Sequence, residues 1–142
     1  MAFWDASAVV PLCVSQPATG FFRRLLRAHR RPAVWWGTPV EARSAFARLM
    51  REKATNLTEL ARALDRLARL RRSWDEILPT DPLRDLAEEL PSRYQLRAAD
   101  AFQLAAAVVW CSGRPSNRPF ICFDRNLAAA AAKIGFAVIG LP

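Results

Sequence analysis

Four acidic residues stand where apolar segments of the chain begin or end. They are Asp5, Glu41, Asp100 and Asp124. A carboxylate is costly to remove from water unless it has a partner. Four carboxylates gathered in one place repel one another, so they must either share protons or bind cations. Because the chain has no histidine or cysteine spacing suited to zinc, an all-oxygen ligand set of this kind suits Mg²⁺ or Mn²⁺.

The charge of the chain indicates what such a site would act on. The formal net charge is +8, and almost all of the basic residues are arginines, since Lys53 and Lys133 are the only lysines. Arginine binds phosphate through two parallel hydrogen bonds, which favours a polyanionic partner. A bound Mg²⁺ or Mn²⁺ activates water for in-line attack on a phosphoryl group. Together these features predict a metal-dependent nuclease, although the arginines also fit solvated helix faces produced by a compositional bias.

Three of the four carboxylates also have an ordinary structural explanation. Asp124 is placed to cap a following helix, and Asp100 is placed to interact with the positive end of a helix dipole. Glu41 closes the segment 38–41, whose sequence TPVE has the spacing of a capping box. Since Glu41 also lies on the apolar face of its helix, spacing alone leaves capping and metal binding equally open.

Strand-like and helix-like segments alternate along the chain, which favours a parallel sheet with helices on both faces. We therefore predict a single domain over 1–142 with a three-layer α/β/α fold. Strands are expected over 2–4, 32–36, 120–123 and 136–139, and the segment 77–79 is expected to be either a brief strand or an extended link. Helices are expected from 6, over 19–29, 38–53, 57–70, 81–90, from 100 to 111, and over 127–133. If the strands before Asp5 and Asp124 are neighbours, their carboxyl ends place these two side chains together. Trp35, Trp36 and Trp110 lie in apolar runs and are expected in the core.

Cysteine usage and hydropathy indicate the compartment. Cys13, Cys111 and Cys122 are odd in number and lie in apolar surroundings, so we expect buried free thiols in a reducing environment. The segment 1–14 lacks the basic region of a signal peptide, and the longest uninterrupted apolar run, 104–111, is too short to span a bilayer. The sequence therefore predicts a cytoplasmic protein without a membrane association.

The segments around the four carboxylates resemble, in order and spacing, the successive motifs of a PIN domain. The matching segments are 5–9 (DASAV), 38–41 (TPVE), 96–105 (LRAADAFQLA) and 120–127 (FICFDRNL). The resemblance covers essentially the whole chain and is closest to the VapC-like toxins of type II toxin–antitoxin pairs.

This resemblance implies a set of roles and partners. It assigns Asp5, Glu41, Asp100 and Asp124 as the catalytic quartet that holds Mg²⁺ or Mn²⁺. Ser7 would support Asp5, and Arg97 would lie beside the site. It also implies endoribonuclease activity on structured RNA such as tRNA, a homodimer, and inhibition by a small antitoxin protein whose tail occupies the active-site groove.

Three residues depart from the family pattern. Cys122 stands where the family usually has a threonine or serine, so a weaker thiol replaces a hydroxyl. Asn126 stands where many relatives have a further aspartate, and Ala6 replaces a common threonine. Because the quartet is intact, we expect an active enzyme, with Asn126 in a supporting position. The missing aspartate at 126 weakens a second metal site, and the sequence leaves one and two bound ions both open in the absence of substrate.

Other classes of protein fit the sequence less well. A phosphotransfer receiver needs a lysine at a strand end, and neither lysine is so placed. A haloacid-dehalogenase-type phosphatase needs Asp-x-Asp after the first strand, whereas Asp5 is followed by Ala6 and Ser7. The main alternative is a degenerate PIN-like domain that binds RNA or protein without catalysis.

Overall fold

A computed structural model describes residues 1–140 of the chain, and within them five short strands form one sheet. The strands are β1 (Ala2–Trp4), β2 (Pro32–Trp35), β3 (Asp75–Ile77), β4 (Pro119–Ile121) and β5 (Ala137–Ile139). Their order is β3-β2-β1-β4-β5, and every neighbouring pair is parallel. The predicted parallel α/β architecture is confirmed.

Seven helices within residues 1–140 connect the strands. They are α1 (Ala6–Cys13), α2 (Thr19–Ala28), α3 (Thr38–Arg51), α4 (Leu57–Arg71), α5 (Asp81–Tyr94), α6 (Ala98–Trp110) and α7 (Arg125–Ile134). Helices α1 to α4 cover one face of the sheet, and α5 to α7 cover the other. The three-layer arrangement is therefore also confirmed. None of the helices among the described residues has the length and apolarity needed to cross a bilayer.

The central strand β1 shows why the sheet must be covered on both faces. Its residues are fully buried, with Phe3 facing the α5–α7 layer and Trp4 facing the α1–α4 layer. The Phe3 ring stacks on Phe120 of β4 at a centroid distance of 5.5 Å, and the Trp4 ring meets Phe22 of α2 at 6.5 Å. A strand that is apolar in both directions is typical of the interior of a parallel sheet.

The register of β1 against β4 brings two predicted site residues together. Trp4 pairs with Ile121, and the backbone N–H of Asp5 donates to the Ile121 carbonyl at 3.0 Å. Asp5 and Asp124 therefore leave the sheet at the carboxyl ends of adjacent strands. The condition on which the predicted site depends, that these two strands are neighbours, is met.

The predicted capping box at Thr38 is wrong. The N-cap of α3 is Gly37, not Thr38, and glycine has no side chain that could cap the helix. Thr38 already lies inside the helix, where its buried hydroxyl accepts a hydrogen bond from Gln103 of α6. The Thr38 hydroxyl therefore makes a tertiary hydrogen bond in place of the local capping bond. Glu41 accepts from Gln103 and does not complete a capping box.

Several element boundaries also differ from the prediction. The third strand lies at Asp75–Ile77 rather than 77–79, because Asp75 and Glu76 pair with β2. Helix α5 continues through Pro91 to Tyr94 and ends where Gln95 adopts a left-handed conformation, with φ 55°. Trp36 lies outside the core, with 52% of its surface exposed, because β2 ends at the preceding residue.

Candidate active site

The four predicted carboxylates line one cleft of about 410 Å³ at the carboxyl ends of β1 and β4. Four different elements supply them. Asp5 follows β1, Glu41 lies in the first turn of α3, Asp100 lies in the first turn of α6, and Asp124 precedes α7. Open parallel sheets place their ligand sites at this edge, where strands end and helices begin.

Asp5 is the most enclosed of the four, with 3% of its surface exposed. Its Oδ2 accepts hydrogen bonds from the backbone N–H of Ser7, at 3.0 Å, and from the Ser7 hydroxyl. That hydroxyl also accepts from the backbone N–H of Phe123 at 2.8 Å. Burial raises the pKa of Asp5 to about 6; the Ser7 hydrogen bonds lower it, and the charges of Asp100 and Asp124 raise it further. Ser7 therefore ties Asp5 to the loop that carries Asp124.

Glu41 is held from the opposite side of the cleft by Gln103. The Gln103 Nε2 donates to Glu41 Oε2 at 2.6 Å and to the Thr38 hydroxyl at 3.2 Å. Burial raises the pKa of Glu41 to about 7, the Gln103 hydrogen bond lowers it, and repulsion from Asp5 and Asp100 raises it. Gln103 is itself fully buried, and its Oε1 has no hydrogen-bond partner within residues 1–140. A buried amide with one end unsatisfied is costly, which indicates that the residue serves the carboxylate it contacts.

Asp100 and Asp124 form the more open side of the cleft. Partial burial and the charge of Asp124 raise the pKa of Asp100, while the charge and the backbone N–H of Arg97 lower it. Asp124 caps α7 through its Oδ1, which accepts from the Leu127 N–H at 2.9 Å. The ordinary structural explanation of Asp124 is thus correct, but it uses only one of the two carboxylate oxygens.

Cys122 lies between Asp5 and Asp124. Its Sγ accepts from the backbone N–H of Asp124 at 3.3 Å and lies 3.8 Å from Asp5 Oδ2. Burial and the nearby Asp5 charge raise the pKa of the thiol well above its usual value. The group is therefore a neutral S–H, which gives Asp5 a weaker donor than a hydroxyl would. All three cysteines are buried and free, as predicted.

The remaining predicted site residues lie at different distances from the cleft. Ser7 lines it, as described above. Arg97 is exposed at the N-cap of α6 and reaches the site through its charge on Asp100. Asn126 is exposed in the first turn of α7 and is not among the residues that line the cleft.

Sequence reasoning missed two residues of the site. Gln103 is the one amide within the apolar part of α6, three residues after Asp100 and hence on the same helical face, and this was a usable signal. Arg48 also lines the cleft. It lies two helical turns after Glu41, but nothing in its local sequence separates it from the many other arginines.

The electrostatics of the cleft fit a divalent cation. Among residues 1–140, five ion pairs form, and none of them includes a quartet carboxylate. Burial and the charges of neighbouring carboxylates raise the pKa values of Asp5, Glu41 and Asp100. Carboxylates without an ion-pair partner supply the hard oxygen donors that Mg²⁺ and Mn²⁺ prefer. Within the described part of the chain, however, no three acidic, histidine or cysteine side chains are grouped closely enough to form a finished ligand shell. An ion would therefore have to draw the side chains inward from the walls of the cleft.

A scan against protein-family models finds no family that matches the chain, and a search of curated proteins finds no similar protein.

Proposed function

We propose that this protein is a metal-dependent endoribonuclease of the PIN-domain type, acting as the toxin of a type II toxin–antitoxin pair. One observation carries the proposal. Four carboxylates from four separate elements line one cleft without an ion-pair partner among the described residues. The order and spacing of the surrounding sequence motifs, which resemble those of PIN domains, add independent support.

The proposed chemistry divides between the ion and the protein. Asp5, Glu41, Asp100 and Asp124 would hold Mg²⁺ or Mn²⁺, which supplies Lewis-acid activation of water and neutralises charge on a phosphoryl group when bound. The protein keeps the ligands in place. Ser7 fixes Asp5 through two donors, and Gln103 fixes Glu41 through one short hydrogen bond.

The charge around the cleft supports a polyanionic substrate. Arg48 lines the cleft and Arg97 lies at its edge, so both can bind phosphate groups that enter beside the carboxylates. The net charge of +8 attracts a polyanion over a longer range. RNA is the substrate that fits both this charge and the motif resemblance, and structured RNA such as tRNA is the class that the resemblance favours.

Three further properties belong to the same proposal. The motif resemblance supports a homodimer and inhibition by a small antitoxin protein. The three buried free thiols support a cytoplasmic location, since paired cysteines are typical of oxidising compartments.

The direct test is cleavage of pooled cellular RNA by the purified protein with Mg²⁺ or Mn²⁺, compared with the same reaction in EDTA. We expect metal-dependent cutting that is abolished by Asp5→Asn and by Asp100→Asn. Asp85→Asn, on the exposed face of α5, is the matched control and should cut normally. Cutting that survives in EDTA or in both cleft variants would contradict the proposal.

A non-catalytic module that binds RNA or protein is the second candidate. The observation that favours it is the spread of the carboxylates along the cleft walls, without a finished ligand shell in residues 1–140. The two candidates differ in their response to metal. A nuclease should be stabilised against thermal unfolding by Mn²⁺ in a way that Asp5→Asn and Asp100→Asn remove, whereas the binding module should show no such shift.

A further inference from the structure

A second depression of about 580 Å³ adjoins the carboxylate cleft. It lies between the start of α3, the start of α5 and the start of α6, and Glu41 lines both this groove and the cleft. We call this depression the aromatic groove. A molecule bound at the carboxylates therefore needs to extend only past Glu41 to enter it.

The walls of the aromatic groove are flat aromatic rings. The Trp35 and Phe102 rings are stacked, with centroids 5.3 Å apart and planes 2° apart. The Trp36 ring stands nearly perpendicular to Trp35, at 6.3 Å and 70°, and is half exposed. A side chain at Gly37 would place its Cβ 2.6 Å from Trp35 Nε1, so only glycine lets the chain turn this closely around the indole. Trp35 itself is buried, so the indole face that the groove leaves open belongs to Trp36.

The charges in the aromatic groove select against a phosphate. Arg84 lies within hydrogen-bonding distance of Asp81, at 3.4 Å, and the carboxylate of Glu41 forms the wall nearest the cleft. The one arginine in the lining is therefore balanced, and a phosphate placed here would be repelled by Glu41. A flat, uncharged and polarisable group is the occupant that suits these walls.

We propose that the aromatic groove is a nucleobase subsite, in which Trp36 stacks on a base of the RNA next to the phosphodiester held at the carboxylates. This inference rests on the proposed function, because RNA in the cleft is what brings a base to the groove. Single-stranded RNA is commonly recognised through unstacked bases that pack on aromatic side chains. The groove would thus set which nucleotide lies beside the cut and would favour an unpaired one.

The test measures binding without cleavage. The probe is a fluorescein-labelled, randomised 12-nucleotide single-stranded RNA. It is titrated in Ca²⁺, which carboxylate oxygens also bind, in place of Mg²⁺ or Mn²⁺, with the wild type, Trp36→Ala and Trp36→Phe. Loss of one stacked base corresponds to about 5- to 150-fold in affinity, so we expect Trp36→Ala to bind on the order of 10-fold more weakly. Trp36→Phe, which keeps an aromatic face, should recover most of the affinity. Leu57→Ala, which truncates an exposed apolar side chain on α4 outside the groove, is the control and should bind like the wild type.

A second probe separates stacking from other effects. With an RNA of the same length that carries abasic sites, the wild type and Trp36→Ala should bind equally. Equal binding of the base-containing RNA by both proteins, or no RNA binding by the wild type, would overturn the subsite. A change of sedimentation coefficient in Trp36→Ala with unchanged RNA affinity would also overturn it and would assign the groove to an interface between two copies of the chain.

The outcome is separable from that of the nuclease proposal. If the protein cuts RNA and Trp36→Ala leaves both affinity and cleavage pattern unchanged, the nuclease stands and the subsite fails. If the protein binds RNA through Trp36 but never cuts with any metal, the subsite stands and catalysis fails.

Discussion

Replacing Asp5 with asparagine should stabilise the metal-free protein at neutral pH while removing the proposed nuclease activity. Asp5 is 3% exposed, and its pKa is about 6 in the folded protein against an ordinary value of 3.8. At about 1.36 kcal/mol per pH unit, keeping this carboxylate charged in the folded state costs about 3 kcal/mol. Asparagine is neutral, and its Oδ1 can still accept from the Ser7 N–H and cap α1, so the variant should lose this penalty and keep the cap.

The stability difference between Asp5→Asn and the wild type should depend on pH. Because the folded protein binds the Asp5 proton more tightly than the unfolded chain does, the stabilisation from protonation is complete below pH 3.8 and is lost as the pH rises through about 6. Asparagine does not titrate. The advantage of Asp5→Asn over the wild type should therefore be absent near pH 4 and should reach its full value above pH 7.

Thermal unfolding followed by circular dichroism in EDTA, at several pH values from 4 to 8, measures the difference. With about 2–4 °C per kcal/mol for a chain of this size, the Tm of Asp5→Asn should exceed that of the wild type by about 6–12 °C at pH 8. Asp85→Asn should show no such gain, since Asp85 is exposed. An Asp5→Asn variant no more stable than the wild type at pH 8, or an equal gain in the Asp85→Asn control, would refute the reasoning.

Three further predictions concern the support of the site, the core and the RNA path. Gln103→Leu leaves Glu41 without its donor, so the pH midpoint of Mn²⁺ binding measured by calorimetry should rise, and an unchanged midpoint would argue against the contact. Phe22→Ala should lower the free energy of unfolding in urea by about 3–5 kcal/mol, because the ring is fully buried. Phe21→Ala should lower the free energy of unfolding clearly less, because the neighbouring Phe21 ring is partly exposed. Arg27→Glu should reduce the slope of log K for RNA binding against log salt by about 1 if α2 contacts the RNA backbone, whereas an unchanged slope would exclude that helix.

The elements of the fold could be predicted from local patterns, but their pairing could not. The apolar run before Asp5 and the one before Asp124 are legible as strands because they are short, apolar and followed by helix-like segments. That these two strands are neighbours depends on packing between residues more than 110 positions apart, as in the stacking of Phe3 on Phe120. The sequence could only state what would follow if they were adjacent.

Two of the wrong predictions have different physical causes: a tertiary contact overrides the capping motif, and the strand ends earlier than the apolar run that contains Trp36. The TPVE segment has the spacing of a capping box, yet the Thr38 hydroxyl accepts from Gln103 and the helix starts one residue earlier than the motif predicts. Trp36 lies in an apolar run, yet the strand ends before it and leaves it at the surface. In both cases the departure lies beside the carboxylate cleft.

Mn²⁺ binding to the purified protein, measured by isothermal titration calorimetry at pH 8, tests the carboxylate cleft as a metal site directly, because this pH lies above the raised pKa values of Asp5 and Glu41. We expect saturable binding by the wild type, weakened at least about 10-fold by Asp5→Asn and by Asp100→Asn, and unchanged in Asp85→Asn. No saturable binding by the wild type, or equal binding by the two cleft variants, would contradict the assignment of the carboxylate cleft as a metal site.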